Sequence, residues 1–324
     1  MSKADPIEQA LNQIAELRSA SPSEQVIQQL RTYLKSKSNL VVAKAAKVAG
    51  ELHLPALVAD QVAAFNRMMV NPAKLDRRCA AITEIVSALY ELDYSEPDVY
   101  LQGIRHVQKE ASFGPPVDEA ATLRGRSAQG LLRTRYPDAI AIVIDLLVDP
   151  EPPARLGGIR ALATNGGEVG PLLLRLKVLT GDEDPEILGE CFSGLLAAAP
   201  VPSLPFVARY IDSEDDVIAE AAIWALGQSR QIAGLPILQE KWERTVERSR
   251  RKTLIAALAS SRLQESFDYL CLQLRTADAR TAGDIIATLA DYASSESLRQ
   301  AVTAAVQERR EPKLAELLLQ HFGK

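Results

Sequence analysis

Histidine, cysteine and tryptophan are the scarce residues of this chain with reactive or recognition chemistry, and their spacing limits what it can do. The three histidines stand as His53-Leu54, His106-Val107 and His321-Phe322. A helical zinc motif of the HExxH type needs two histidines one turn apart with a glutamate beside the first, and none of the three has that setting. His53 and His106 are therefore expected at the surface or in turns. Cys79, Cys191 and Cys271 fall one in each third of the 324 residues, with no CxxC spacing. An odd number of separated thiols in apolar helical contexts predicts buried free cysteines in a reducing compartment. Neither a glycine-rich phosphate loop nor a GxSxG nucleophile turn occurs. The sequence thus predicts no catalytic residue, no metal site and no cofactor.

Binding chemistry remains, carried by charge and by tryptophan. LRGRSAQGLLRTRY holds Arg124, Arg126, Arg133 and Arg135 without an acid, and RTVERSRRK holds Arg244, Arg248, Arg250, Arg251 and Lys252 against Glu247. Between them runs an acidic tract from Asp182 to Glu220. Carboxylates at helix starts account for much of that tract, because they favour the positive end of the helix dipole. The functional alternative is a surface of alternating potential that steers a partner of mixed charge. The formal net charge of −5 argues against nucleic acid as the partner, since binding to phosphate backbones draws on a basic excess.

The elements that must position these residues follow from an internal repeat. Leu131, Leu162, Leu195, Leu226, Leu258 and Leu289 succeed one another at intervals of 31 to 33 residues. A period in this range marks a stacked array of supersecondary units. Three positions before each leucine stand Ala128, Ile159, Phe192, Ile223, Ile255 and Ile286. The apolar columns fall at helical offsets, so this half of each unit is predicted as an α-helix. Small residues four before the leucine and just before it would let a neighbouring helix approach. DAIAIVIDLLVD (138–149), VGPLLLRLKVLT (169–180), SLPFVARYID (203–212) and SFDYLCLQLRTAD (266–278) supply the second helix. Prolines and acids precede the helices, and glycines, Gly227 and Gly234 among them, are expected in the turns between helices. Upstream, 41–52, 77–92 and 118–132 read as helices, with SEPDVY and FGPPVDE in longer loops. SLRQAVTAAVQ and KLAELLLQHF read as a closing helix or pair.

Helical geometry sorts the columns. At about 100° per residue, positions eight, seven, four, three and one before the leucine share one arc with it, the buried face. Positions six, five and two before it point away. Those columns contain Arg126, Gln129, Arg160, Glu190, Glu220, Trp224 and Lys252, the candidate partner-binding residues. Trp224 lies almost opposite the centre of the buried face, which would make it an interface anchor; its alternative place is leaning over the next repeat, mostly covered. Arg124, Arg155 and Arg251, seven before the leucine, sit at the edge of the buried arc and are expected to pair with acidic turns.

DSEDDVIAEAAIWALGQSRQIAGLPILQE and DPEPPARLGGIRALATNGG resemble the short HEAT-like repeat of the phycobilisome-lyase type, with Arg155 in its arginine column. The resemblance covers residues 118 to 290. It implies an all-α fold, an α-α superhelix: a right-handed solenoid of stacked antiparallel helix pairs, about eight or nine HEAT-like repeats. Residues 1–117 would be irregular repeats, 118–290 regular ones and 291–324 capping helices of one continuous solenoid. Deoxyhypusine hydroxylases of this fold hold iron through His-Glu pairs, which this chain lacks. Hydrophobic residues at 47% and charged residues at 24% exclude a largely disordered chain. The N-terminal MSKADPIEQALNQ has no apolar h-region and no membrane-length apolar run occurs, so a cytoplasmic protein is expected. The functional expectation is a non-enzymatic scaffold or adaptor that binds a protein or peptide on its concave face. A bilin-lyase-like cofactor-handling protein is the alternative, and a nucleic-acid-binding one the third.

Overall fold

The structure, a computed structural model, describes residues 5–323. It is all-α apart from one short hairpin, and it divides into two compact units, residues 1–176 and 177–324.

The first unit alternates two layers of helices. One layer holds α1 (Pro6–Leu17), α3 (Asn39–Glu51), α6 (Ala80–Glu91), α8 (Ala121–Arg133) and α10 (Pro152–Asn165). Its members pack in that order, α1 on α3, α3 on α6, α6 on α8 and α8 on α10. Their antiparallel partners are α2 (Glu24–Leu34), α4 (Val58–Met69), α7 (Asp98–Ile104), α9 (Ala139–Ile144) and the start of α11 (Val169–Thr180), with the single turn α5 (Pro72–Leu75) after α4. The second unit repeats the scheme. Its first layer is α12 (Pro185–Ala198), α14 (Asp216–Gln228), α16 (Arg248–Ser260), α18 (Ala279–Ala290) and α20 (Pro312–Phe322), again packed in sequence. The other layer is α13 (Pro200–Ala208), α15 (Leu235–Arg244), α17 (Gln264–Thr276) and α19 (Glu296–Arg309).

The repeat leucines and the apolar column three before them are buried throughout: Leu131, Leu162, Leu226, Leu258 and Leu289 with Ala128, Ile159, Ile223, Ile255 and Ile286. They join each first-layer helix to its partner. Helix starts carry the expected chemistry. Pro152 and Pro185 occupy first-turn positions, and the carboxylates of Asp184 and Asp215 accept from the amides of Glu186 and of Val217 and Ile218. All three cysteines are buried and free, and burial pushes the thiols of Cys79 and Cys191 up to about 12 and that of Cys271 to about 11.

Three local expectations change. SEPDVY is not all loop: Asp98 begins α7, its acid in the first turn after Pro97. FGPPVDE contributes to a hairpin in which β1 (Lys109–Glu110) pairs antiparallel with β2 (Val117–Asp118). Gly227 is not in a turn. It lies buried inside α14, where an added Cβ would stand 2.3 Å from the carbonyl oxygen of Ala257 on α16. Close backbone approach, and not chain reversal, requires glycine there.

Candidate functional site

Successive first-layer helices meet along a seam that the column arithmetic alone did not reveal. Gly125, six before its leucine, abuts Gly157, five before the next; a Cβ built on Gly157 would lie 2.1 Å from the Gly125 Cα. The same two columns bring Gly189 against Ala221, with an added Cβ at 3.4 Å from the alanine methyl, and Lys252 against Asp284 in a 3.1 Å ion pair. In the first unit Gly50 approaches Ala88 at 3.0 Å in the same way. Columns six and five are therefore half covered by the neighbouring helix, and column two is the one that faces solvent most fully.

That geometry sorts the candidate residues. Arg126 and Arg160 are exposed and Gln129 is half-buried. The structure brings these three together around a cavity of about 140 Å³ between α8 and α10, floored by Gly125 and Gly157 and flanked by Pro153 and Leu156. A second cavity of about 330 Å³ runs from α3 across α6 to α8, where Thr122 and Arg126 line both. Lys47 and Glu51 reach it from α3, and Glu84, Ser87 and Glu91 from α6. Sequence reasoning missed these α3 and α6 residues. The signal existed, since Gly50 and Ala88 supply the small-residue contact seen later at Gly125 and Gly157, but longer loops hide the period.

The other candidates lie on the second unit. Trp224 on α14 is 36% exposed, with half-buried Glu220 one turn earlier on the same helix. Glu190 on α12 is half-buried, and Lys252 on α16 is exposed but tied to Asp284.

Most of the charge noted in the sequence is spent within the fold. Arg124 is buried and makes a two-point pair with Asp149 at 2.8 and 2.9 Å, a third contact at 2.7 Å to Asp118, and a bond to the carbonyl oxygen of His106. Arg155 donates to the carbonyl oxygens of Asp149 and Pro150. The Arg251 guanidinium lies 4.2 Å from the ring centre of the buried Trp242, and, with hydrogen bonds from Thr281, its charge helps to hold the carboxyl of Asp278, in the turn before α18, below the ordinary value. Arg250 pairs with Asp216, Arg248 with Asp284 and Arg244 with Glu240. On the acidic side Asp182 holds Lys177 and Asp212 holds Lys241. Around the two cavities the balance differs: Arg126, Lys47, Glu84 and Glu91 make no ion pair among the described residues, whereas Glu51 is held by Arg18 at 2.8 Å.

His53 ends α3 in a turn with φ of 50°, and His106 bonds Gln108 within its own loop, as ordinary turn residues do. Among the described residues no group of three or more His, Cys, Asp or Glu side chains is placed to hold a metal ion. No helix among them is long and apolar enough to cross a membrane.

No family model matches the chain, and no curated protein matches it. Solved structures that it resembles include an engineered protein at 15% identity, covering 100% of this chain and 97% of that one, with a TM-score of 0.39. Another is the complex of CpcE and CpcF of phycocyanin lyase from Nostoc, at 11% identity over 90% of this chain and 96% of that one, with a TM-score of 0.37. Human deoxyhypusine hydroxylase is similar at 16% identity over 80% and 92%, with a TM-score of 0.31.

Proposed function

We infer that this protein is a non-enzymatic binding module, a scaffold or adaptor that receives a protein or peptide segment across the first-layer helices of its first unit. The observation that supports it is the pair of adjoining cavities on α3, α6, α8 and α10, floored by close-packed glycine and alanine and walled by side chains of both signs. The small residues of that floor let a partner segment lie close against the helices, while the walls select its charge. Internal pairing of the second arginine cluster leaves less cationic surface for a phosphate backbone, which favours a protein over a nucleic acid.

Affinity purification with wild type and Arg126→Glu, followed by mass spectrometry, tests this reading. A protein recovered with wild type and lost with the variant, at unchanged melting temperature, supports it. Recovery of the same proteins by both overturns the placement. A tetrapyrrole that shifts its absorbance on mixing, or an oligonucleotide retained on a filter at physiological salt, would replace the reading with one of its alternatives.

A further inference from the structure

Four aromatic rings carry an arginine of the same chain over one face. Arg133 lies 4.8 Å from the ring centre of Tyr90, Arg209 4.9 Å from Phe206, Arg251 4.2 Å from Trp242 and Arg262 5.8 Å from Tyr292. Trp224 on α14 is 36% exposed, yet among the described residues no cation covers its ring. One turn earlier Glu220 is half-buried and makes no ion pair or hydrogen bond among those residues. The cations of α16 are committed elsewhere. Arg250 pairs with Asp216, and Arg248 and Lys252 both reach Asp284, so their charged ends lie toward α18. The matching positions on the two helices packed against α14 are Ser193 on α12 and Ala256 on α16, too small to close over the indole. An aromatic face and a carboxylate thus stand side by side on one helix, both without partners.

We propose that Trp224 and Glu220 together hold an arginine side chain presented by a protein partner, a site on the second unit. Residues four apart on a helix stand about 5–6 Å from one another at Cβ. The Cα–Cβ bond tilts toward the helix N-terminus, which sets the indole toward Glu220. A guanidinium lying flat on the ring, within about 6 Å of its centre, keeps N–H groups along its edge for the carboxylate. Arginine suits both contacts better than lysine. Its planar group stacks and forks at once, whereas an ammonium is a compact, strongly hydrated point charge. Ser193 and Ala256 leave room on either side for the partner's main chain. Each contact alone is weak on an open face, so the site selects arginine within a larger protein interface.

The test uses the full-length protein, isotope-labelled for NMR, and follows the indole N–H signals of its two tryptophans, assigned with Trp224→Phe. The probe is a capped Ala-Arg-Ala peptide, set against the same peptide carrying lysine or citrulline, the uncharged analogue of arginine. The Trp224 signal is expected to move saturably with the arginine peptide and about threefold less tightly with the lysine peptide. It should not move with the citrulline peptide, and the Trp242 signal should stay in place throughout. Glu220→Gln should weaken arginine binding about three- to fivefold while circular dichroism melting stays unchanged. A motionless Trp224 signal, an equal response to arginine and citrulline, or undiminished affinity in Glu220→Gln overturns the proposal. Arg126→Glu, by which the reading of the first unit is judged, is expected to leave this titration unchanged, so the two can fail independently.

Discussion

Arg124 and Asp149 face each other as a two-point pair, Nε to Oδ2 at 2.8 Å and a second guanidinium nitrogen to Oδ1 at 2.9 Å. The arginine ends α8's buried arc and the aspartate opens the turn into α10, so the pair fastens one repeat to the next. Asp118 at 2.7 Å adds the base of the β1–β2 hairpin to the same guanidinium.

Breaking that junction should be costly. Arg124→Met leaves two largely buried carboxylates facing no cation, and a loss of about 3–5 kcal/mol in denaturant unfolding is expected. The pH dependence has a definite sign. Burial pushes the Asp118 carboxyl up, but backbone amides of Gln108 and Ala120 and the Arg124 guanidinium outweigh it and hold the group below the ordinary value. A folded-state value depressed in this way stabilises the protein above the unfolded carboxylate value of about 3.9. That contribution is lost as pH falls through the folded value. Unfolding midpoints measured below about pH 4 should fall more steeply for wild type than for Arg124→Met.

The seam makes opposite predictions at two glycines. At Gly157 an added methyl would meet backbone at 2.1 Å, so Gly157→Ala must force α8 and α10 apart. Overpacking of this kind should cost about 1–3 kcal/mol or more. At Gly189 the added methyl would touch Ala221 at an ordinary 3.4 Å. There the better helix propensity of alanine should add about 0.5–1 kcal/mol. Thermal unfolding of the two variants decides it, and equal effects would refute the seam.

The tryptophans should behave differently. Trp242 is 4% exposed, stacked under Arg251 and set edge-on to Tyr269 at 6.1 Å. Trp242→Ala should cost about 3–5 kcal/mol. Trp224→Ala should cost about 1–2 kcal/mol, since part of its ring already faces water. Iodide should quench the fluorescence of Trp242→Phe strongly and that of Trp224→Phe weakly.

Thiol chemistry offers a fourth check. Burial holds Cys79, Cys191 and Cys271 protonated well above pH 8. Iodoacetamide at pH 8 should leave all three unlabelled in the folded protein and label all three in guanidinium. Fast labelling of any one in the native state would show that its helix opens locally.

From residue 118 onward the architecture was readable because the chain repeats one physical solution. Leu131, Leu162, Leu195 and Leu226 recur every 31 to 33 residues since each tier buries the same helix face, and a one-dimensional pattern suffices to show it. The buried role of Arg124 was legible for the same reason, from its place at the edge of that face. What the columns could not say is which residues of different tiers meet. That Gly125 abuts Gly157, that Arg251 lies over Trp242, and that Glu84 and Glu91 share a groove with Arg126 depend on how far apart two helices settle. Spacing of that kind is set by the packing of side chains from separate tiers, and only the tertiary structure decides it.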